Sequence, residues 1–318
     1  MALNLTKRQV VGYFVRGNNC RLFSSTKKLY ASSTLSQFKE QFKGTGVEFE
    51  EPSPKVINVQ FAKPEQRNAF TLENVRNMAR VFTKITDDTY FRSVLLTGQG
   101  KMFCAGIDLM DLVSMASKSA EKADSSRKSM FLRTFVRDSQ TLALAITNCD
   151  KPVIAAIHNA CIGGAVDIIS SCDMRLATAD SWFQIKEVQV GLAADMGTLQ
   201  LLPRIVSNQS LLRELVFTGR KFSAEEAKNE LGLLSRILPD QKALMEEAIK
   251  VASNIASHSP IAVQGSKVNL EFSKDHSVPS ALKFHQAWNM AMLQGEDTGK
   301  AAMSIMERKS DSPDFEDL

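Results

Sequence analysis

No acidic side chain occurs before Glu40, no apolar run approaches the length of a membrane span, and no two cysteines stand in CxxC spacing. Each absence closes a class of function. The longest apolar runs, such as Val153–Ile157, fall far short of the roughly 20 residues a spanning helix requires, so no transmembrane helix is expected. The five cysteines (Cys20, Cys104, Cys149, Cys161, Cys172) are odd in number and read as reduced, mostly buried thiols rather than a disulfide framework. The four histidines (His158, His258, His276, His285) show no metal spacing, and no metal site is expected. His158 closes a buried apolar run and reads as a satisfied core residue. Neither a Walker A loop nor a Rossmann glycine fingerprint is present, so no nucleotide redox cofactor is implied.

What remains is ordinary in bulk and uneven in distribution. At 318 residues, 44% hydrophobic and 23% charged, the chain can bury a large core as a soluble globular protein. Its net charge of +4 belongs to the head: seven of the 39 basic residues lie in residues 1–39, leaving 32 against 35 acids, about −3, for the rest. The body therefore gives no bulk-charge case for nucleic acid. The head is Ser- and Thr-rich, carries Val10, Val11, Tyr13, Phe14 and Val15 among its bases, and has transit-peptide composition rather than a secretory h-region. Arg21-Leu22-Phe23-Ser24 resembles a mitochondrial processing site with cleavage after Phe23. The alternative is a disordered basic tail. The last residues, Phe315-Glu316-Asp317-Leu318, are no peroxisomal Ser-Lys-Leu address, so a matrix location is expected before a peroxisomal one.

Periodicity predicts strands and helices in alternation, hence an α/β fold. Strands are expected over 55–61, 93–97, 151–158, 173–178 and 182–185. Helices are expected over 72–85, 130–146, 240–257, 260–273 and 278–293, with residues 113–128 as a polar, mobile excursion. Ser223-Ala224-Glu225-Glu226 has the form of a capping box, and Gly232 is placed for a left-handed helix end. The helical tail, with Ile249, Ala252, Ile255, Trp288 and Met292, is expected to pack on its own core or on a neighbouring subunit.

The most informative stretch is Cys161-Ile162-Gly163-Gly164-Ala165-Val166-Asp167, followed by Glu187 and Asp195. A glycine pair opening an apolar helix presents bare N–H groups to a ligand, and the helix N-terminus adds favourable partial charge. Gly164 is thus a candidate donor to a developing anion. Three carboxylates set in apolar sequence add candidate acids and bases, so the chemistry suggested is proton transfer. Simpler readings exist for each residue taken singly: a tight turn for Gly163-Gly164, a first-turn helix acid for Asp167, a solvated edge for Glu187, and an N-cap of 198–202 for Asp195.

Arg67-Asn68-Ala69, Phe103-Cys104-Ala105-Gly106-Ile107-Asp108-Leu109, Lys151-Pro152-Val153-Ile154-Ala155-Ala156-Ile157 and Gly163-Gly164, in this order, resemble the crotonase (enoyl-CoA hydratase/isomerase) superfamily over roughly residues 50–310. Within it, 183–188, 191–199 and 263–269 are similar to the Δ3,5-Δ2,4-dienoyl-CoA isomerase branch. The resemblance implies a spiral of ββα units with a C-terminal helical trimerisation region, and a trimer or dimer of trimers. The chain would divide into a targeting and disordered head (1–40), a spiral core with the CoA site (41–240) and a helical region (241–318). It implies isomerisation of 3,5-dienoyl-CoA to 2,4-dienoyl-CoA by a 1,5-proton shift, in β-oxidation of unsaturated fatty acids. Ile107 and Gly164 would form the oxyanion hole. Glu187 matches the family acid/base glutamate. Asp167 stands where hydratases carry their other catalytic glutamate, one methylene shorter. Asp195 stands in the acyl pocket where hydratases tend to have glycine. Which of Glu187 and Asp195 is the base stays open. Arg67 and the backbone along Ala105, Gly106, Ile107, Asp108 and Leu109 are candidate contacts for coenzyme A, with Arg67 alternatively a plain surface charge. Coenzyme A enters as part of the substrate, and no other cofactor is expected. The rivals are a hydratase or Δ3,Δ2-enoyl-CoA isomerase on the same fold, and a relative that binds RNA through bases such as Lys118, Lys122, Arg127, Lys128, Arg133 and Arg137.

Overall fold

Side chains of the central strands alternate between two apolar layers, as the period of two along a strand requires. From β2 (Val56–Phe61), β3 (Ser93–Gly98) and β4 (Val153–Ile157), Ile57, Val59, Phe61, Val94, Leu96, Val153, Ala155 and Ile157 face one layer, while Val56, Leu95, Ile154 and Ala156 face the other. β3 and β4 are buried along their whole lengths, as parallel strands covered on both faces must be. The computed structural model describes residues 34–308 and 313–318. The expected processing site after Phe23 lies outside the described residues.

The elements follow in this order: α1 (34–41), β1 (Val47–Ser53), β2, α2 (Leu72–Asp87), β3, α3 (Leu109–Ala120), α4 (Ser125–Asn148), β4, β5 (Ala160–Ile162), α5 (Gly164–Ser170), β6 (Met174–Thr178), β7 (Trp182–Gln184), α6 (Thr198–Ile205), α7 (Gln209–Thr218), β8 (Lys221–Ser223), β9 (Arg236–Leu238), α8 (Gln241–Ala256), α9 (Pro260–Ser273), α10 (Val278–Met292) and α11 (Asp297–Met306). A six-stranded sheet has the order β1-β2-β3-β4-β6-β9, parallel except for β1; a three-stranded sheet has the order β5-β7-β8. Beneath the larger sheet lies α8, whose Leu244, Ala248, Ala252 and Ala256 recur every fourth residue, and the small side chains admit the helix close to the strands.

Three expectations need correction. Residues 113–128 are mostly helical: Asp108 caps α3 by accepting the Met110 N–H at 2.8 Å, and Asp124 caps α4 by accepting the Arg127 N–H at 2.9 Å. Ala, Lys and Ser there suit an exposed helix, and polarity alone misread it as a loop. The folded body also begins before residue 41, because Phe38 and Phe42 are fully buried against Phe49. Only half of the capping box at Ser223 forms: its hydroxyl accepts the Glu226 N–H, while the Glu226 carboxylate pairs with Arg220 instead.

Candidate active site

Two short bridges bring the glycine corner together. The loop 103–108 runs between Phe70 and β5, with the Cys104 N–H donating to the Ala160 carbonyl (3.1 Å) and the Ile162 N–H to the Cys104 carbonyl (3.1 Å). On its other side the Phe70 N–H donates to the Gly106 carbonyl (2.9 Å) and the Asp108 N–H to the Phe70 carbonyl (2.9 Å). This pairing consumes the groups flanking Ile107 and leaves its own N–H outside the ladder. Gly164 is the first residue of α5, where an N–H has no intrahelical acceptor. Glycine is required twice. Gly106 has φ +87°, and a Cβ there would stand 2.4 Å from the Ile162 carbonyl oxygen and 3.3 Å from the Gly164 nitrogen. Gly163, at φ +53° and ψ −127°, makes the sharp entry into α5.

Asn68 locks the base of this corner. It takes a left-handed backbone (φ +55°) and is 2% exposed. Its amide donates to the carbonyls of Gln99 (2.8 Å), Met102 (3.0 Å) and Phe103 (3.1 Å), while its Oδ1 accepts the Lys63 N–H (3.0 Å).

Above the corner opens a cavity of about 760 Å³, lined by all the site residues expected from sequence: Arg67, Ala105, Ile107, Asp108, Leu109, Gly164, Asp167, Glu187 and Asp195, with Gly106 buried in the loop beneath. Leu112, Met115, Leu132, Phe135, Val136 and Leu192 make much of the rest apolar. Glu187 opens a short 3₁₀ turn, Glu187–Val190, and its Oε1 would lie 3.2 Å from a Cβ on Gly163. Its Oε2 is buried with no hydrogen-bond partner among the described residues. A buried carboxylate oxygen left open is costly in a resting fold.

Of the two readings of Asp195, the structure excludes the helix cap and keeps the place on the cavity wall. Asp195 does not cap α6; the N-cap is Gly197, which has no side chain to offer. The capping acceptor is Asp167, whose Oδ1 takes the Thr198 N–H at 2.6 Å. Asp195 is thereby left half-buried on the cavity wall, its carbonyl receiving the Gln140 amide at 2.8 Å. Gln140 and Lys186, which lines the same cavity at its exposed edge, escaped the sequence reading. The only signal for Gln140 was a polar residue among Ser139, Leu142, Ala143 and Ile146 on the buried stripe of α4.

Burial raises all three carboxyl groups, because a desolvated site disfavours charge. Asp195 is raised by burial; Glu187 by burial and then by the charge of Asp195; Asp167 to about 7 by burial and then by the charge of Glu187. Each of the three therefore holds its proton more tightly than a solvated carboxyl group would. Other residues resolve more simply. His158 is buried and its Nε2 contacts the Gly100 carbonyl at 3.0 Å, a satisfied core histidine. Cys104, Cys149, Cys161 and Cys172 are buried free thiols. Of the bases on α3 and α4, Arg127 pairs with Asp124 and Arg137 with Asp138, which breaks up a continuous positive face.

Known proteins carry the same pattern. The profile of the enoyl-CoA hydratase/isomerase family matches residues 51–317. A mitochondrial Δ(3,5)-Δ(2,4)-dienoyl-CoA isomerase of Rattus norvegicus is 48% identical over 254 residues, covering 80% of this chain and 77% of that one. A peroxisomal enzyme of the same name from Arabidopsis thaliana is 39% identical over 255 residues, covering 80% of this chain and 91% of that one. The crystal structure of an enoyl-CoA hydratase from Bacillus anthracis superposes with a TM-score of 0.74 at 26% identity, covering 85% of this chain and 98% of that one. The spiral α/β fold, the helical C-terminal region and the family match agree, and the chain belongs to the enoyl-CoA hydratase/isomerase family, the crotonase superfamily.

Proposed function

We propose that this protein is a Δ3,5-Δ2,4-dienoyl-CoA isomerase that works by a 1,5-proton shift. Asp195 takes a proton from C2, the double bonds move from C3 and C5 to C2 and C4, and Glu187 gives a proton to C6; no atom is gained or lost. The charge that develops on the thioester oxygen is received by the N–H groups of Ile107 and Gly164, which act most strongly in a dry, preorganised site. One observation carries this reading: Glu187, with an unpartnered buried oxygen, and Asp195 line the same largely apolar cavity as Ile107 and Gly164. Asp195 is the proposed base, and its charge is one cause that raises Glu187, which helps Glu187 keep the proton an acid must hold. Asp167 positions the 195–198 segment through Thr198 and tunes the pair.

Coenzyme A is part of the substrate in this reading, and no cofactor or metal is added. Arg67, Lys186 and the backbone of Ala105–Leu109 are the proposed contacts for its phosphates and adenine. A homotrimer or dimer of trimers is proposed on the helical tail. α10 buries none of its side chains, and Val278, Leu282, Met290, Leu293 and Ile305 stand exposed across α10, α11 and the link between them. A matrix location is proposed from the acid-free basic head and the mitochondrial name of the rat relative; import of a fusion carrying residues 1–40 tests it against the peroxisomal name of the plant relative.

The deciding experiment is spectrophotometric. The protein should convert 3,5-octadienoyl-CoA to the conjugated 2,4-isomer and should hydrate a 2-enoyl-CoA poorly. Efficient hydration with no isomerisation of the diene would move the chain to the hydratase branch.

A further inference from the structure

We infer that the enzyme serves long acyl chains, and that Met196 is a movable partition through which the distal methylenes pass from the catalytic cavity into a second one. The inference deepens the dienoyl-CoA reading and rests on it for the identity of the substrate. The second cavity, of about 770 Å³, lies between α4, α6 and α9. Met196 lines both cavities, so the two spaces meet at its side chain. It is 6% exposed, and its Sδ would lie 3.3 Å from a Cβ on Gly164, beside the proposed oxyanion donor. Methionine is unbranched, with three rotatable bonds, and can turn aside without moving the backbone.

The lining of the second cavity mixes polar side chains such as Gln140, Thr147 and Asn148 with an apolar strip that suits a paraffinic occupant. Its charged side chains stand in ion pairs within the protein: Arg204 with Asp275, Lys274 with Glu271, Lys267 with Asp173 and Asp150 with Lys151, although the buried Asp150 Oδ1 has no hydrogen-bond partner among the described residues. Between them lie Leu144, Leu201, Phe272 and Phe284, with the two phenyl rings stacked at 4.1 Å. Leu144 is 59% exposed in this groove. An apolar tail entering past Met196 would cover that surface, and the paired rim charges offer little to a phosphate or a peptide carboxylate. Because Met196 is the wall common to both cavities, the tail proposed for the second one is that of the acyl chain bound in the first.

The test compares chain lengths in Met196→Ala, which opens the partition, and Leu144→Trp, which fills the groove from an exposed position. Two readouts are taken: kcat/KM for C8 and C14 3,5-dienoyl-CoA, and Kd for octanoyl- and tetradecanoyl-CoA, which needs no turnover. Leu144→Trp should lower the C14-to-C8 ratio at least about tenfold in both, since each methylene denied burial costs a factor of about four. Met196→Ala should raise it. Ratios equal to wild type in both variants overturn the inference; if Leu144→Trp then alters the sedimentation of the oligomer, the groove belongs to a second copy of the chain. Chain-length-dependent Kd values without isomerisation of either diene would uphold the second cavity and overturn the reaction.

Discussion

The two halves of the site are built in different ways. The amide half, Ile107 and Gly164, is carried by bridges to Phe70 and β5, so its geometry is fixed by main chain. The carboxylate half hangs on a 3₁₀ turn and on the irregular stretch before α6, held by Thr198 and Gln140 contacts. Stabilising an oxyanion is a requirement common to thioester chemistries, whereas the itinerary of the proton differs among them. Under the proposed mechanism, the common requirement is met by backbone and the variable one by side chains.

The sharpest way to break this contrast is to disable the carboxylates with the amides intact. Glu187→Gln and Asp195→Asn should each lower kcat by about 10²–10⁴-fold with little change in KM, as expected for general acid–base groups. Steady-state kinetics on 3,5-octadienoyl-CoA measure this, and wild-type turnover in either variant removes that residue from the mechanism. The complementary change, Gly106→Ala, drives a Cβ into the Ile162 carbonyl and displaces the loop that carries the Ile107 N–H. It should cost about 10²–10³-fold in kcat, the usual loss for one oxyanion donor. A smaller drop than for the acids would show that the amide half tolerates movement.

Asp167 sharpens the comparison through stability. Its folded pKa of about 7 lies above the ordinary value of 3.8, so the folded state keeps a proton that the unfolded chain releases. That contribution is complete below about pH 4 and is lost as pH rises through about 7. Denaturant titrations should show the wild type losing on the order of 4 kcal/mol relative to Asp167→Asn between pH 4 and 8, because a tenfold change in proton affinity is worth about 1.4 kcal/mol. Parallel pH profiles would mean that Asp167 is ionised throughout. The mildest effect belongs to Gln140→Ala. Loss of its single contact with the Asp195 carbonyl should reduce kcat about fivefold, the equivalent of one ordinary hydrogen bond. Gln140→Glu, which cannot donate when ionised, should match it.

The sequence displayed the amide half more openly than the carboxylate half. Gly163-Gly164 ahead of an apolar helix states a turn and a close approach at once, and the structure has both, with the Gly164 N–H at the start of α5. β3 and β4 were legible because apolar residues dominate them, whereas β1 and β9, at the two edges of the large sheet, were not expected. The capping of α6 by Asp167 was not legible. Asp195 precedes Thr198 by three residues and so looks like its cap, yet the cap arrives from Asp167, remote in sequence and adjacent in space. The entry into α3 through Asp108 was legible, but its continuation past residue 113 was not, because polar Ser and Lys read as a loop where an exposed helix needs only good helix formers and a cap. The second cavity has no signature in sequence, being the space left between helices that pair only in three dimensions.

One side chain ties these layers to the chemistry of ageing. The Asn68 amide feeds hydrogens to three carbonyl groups at the foot of the oxyanion loop. Slow hydrolysis of that amide to a carboxylate would leave three oxygens facing a fourth that has no proton to give. Damage at this spot would loosen the 99–103 loop from below, so a stored sample could keep its sheet intact while its catalytic corner drifts.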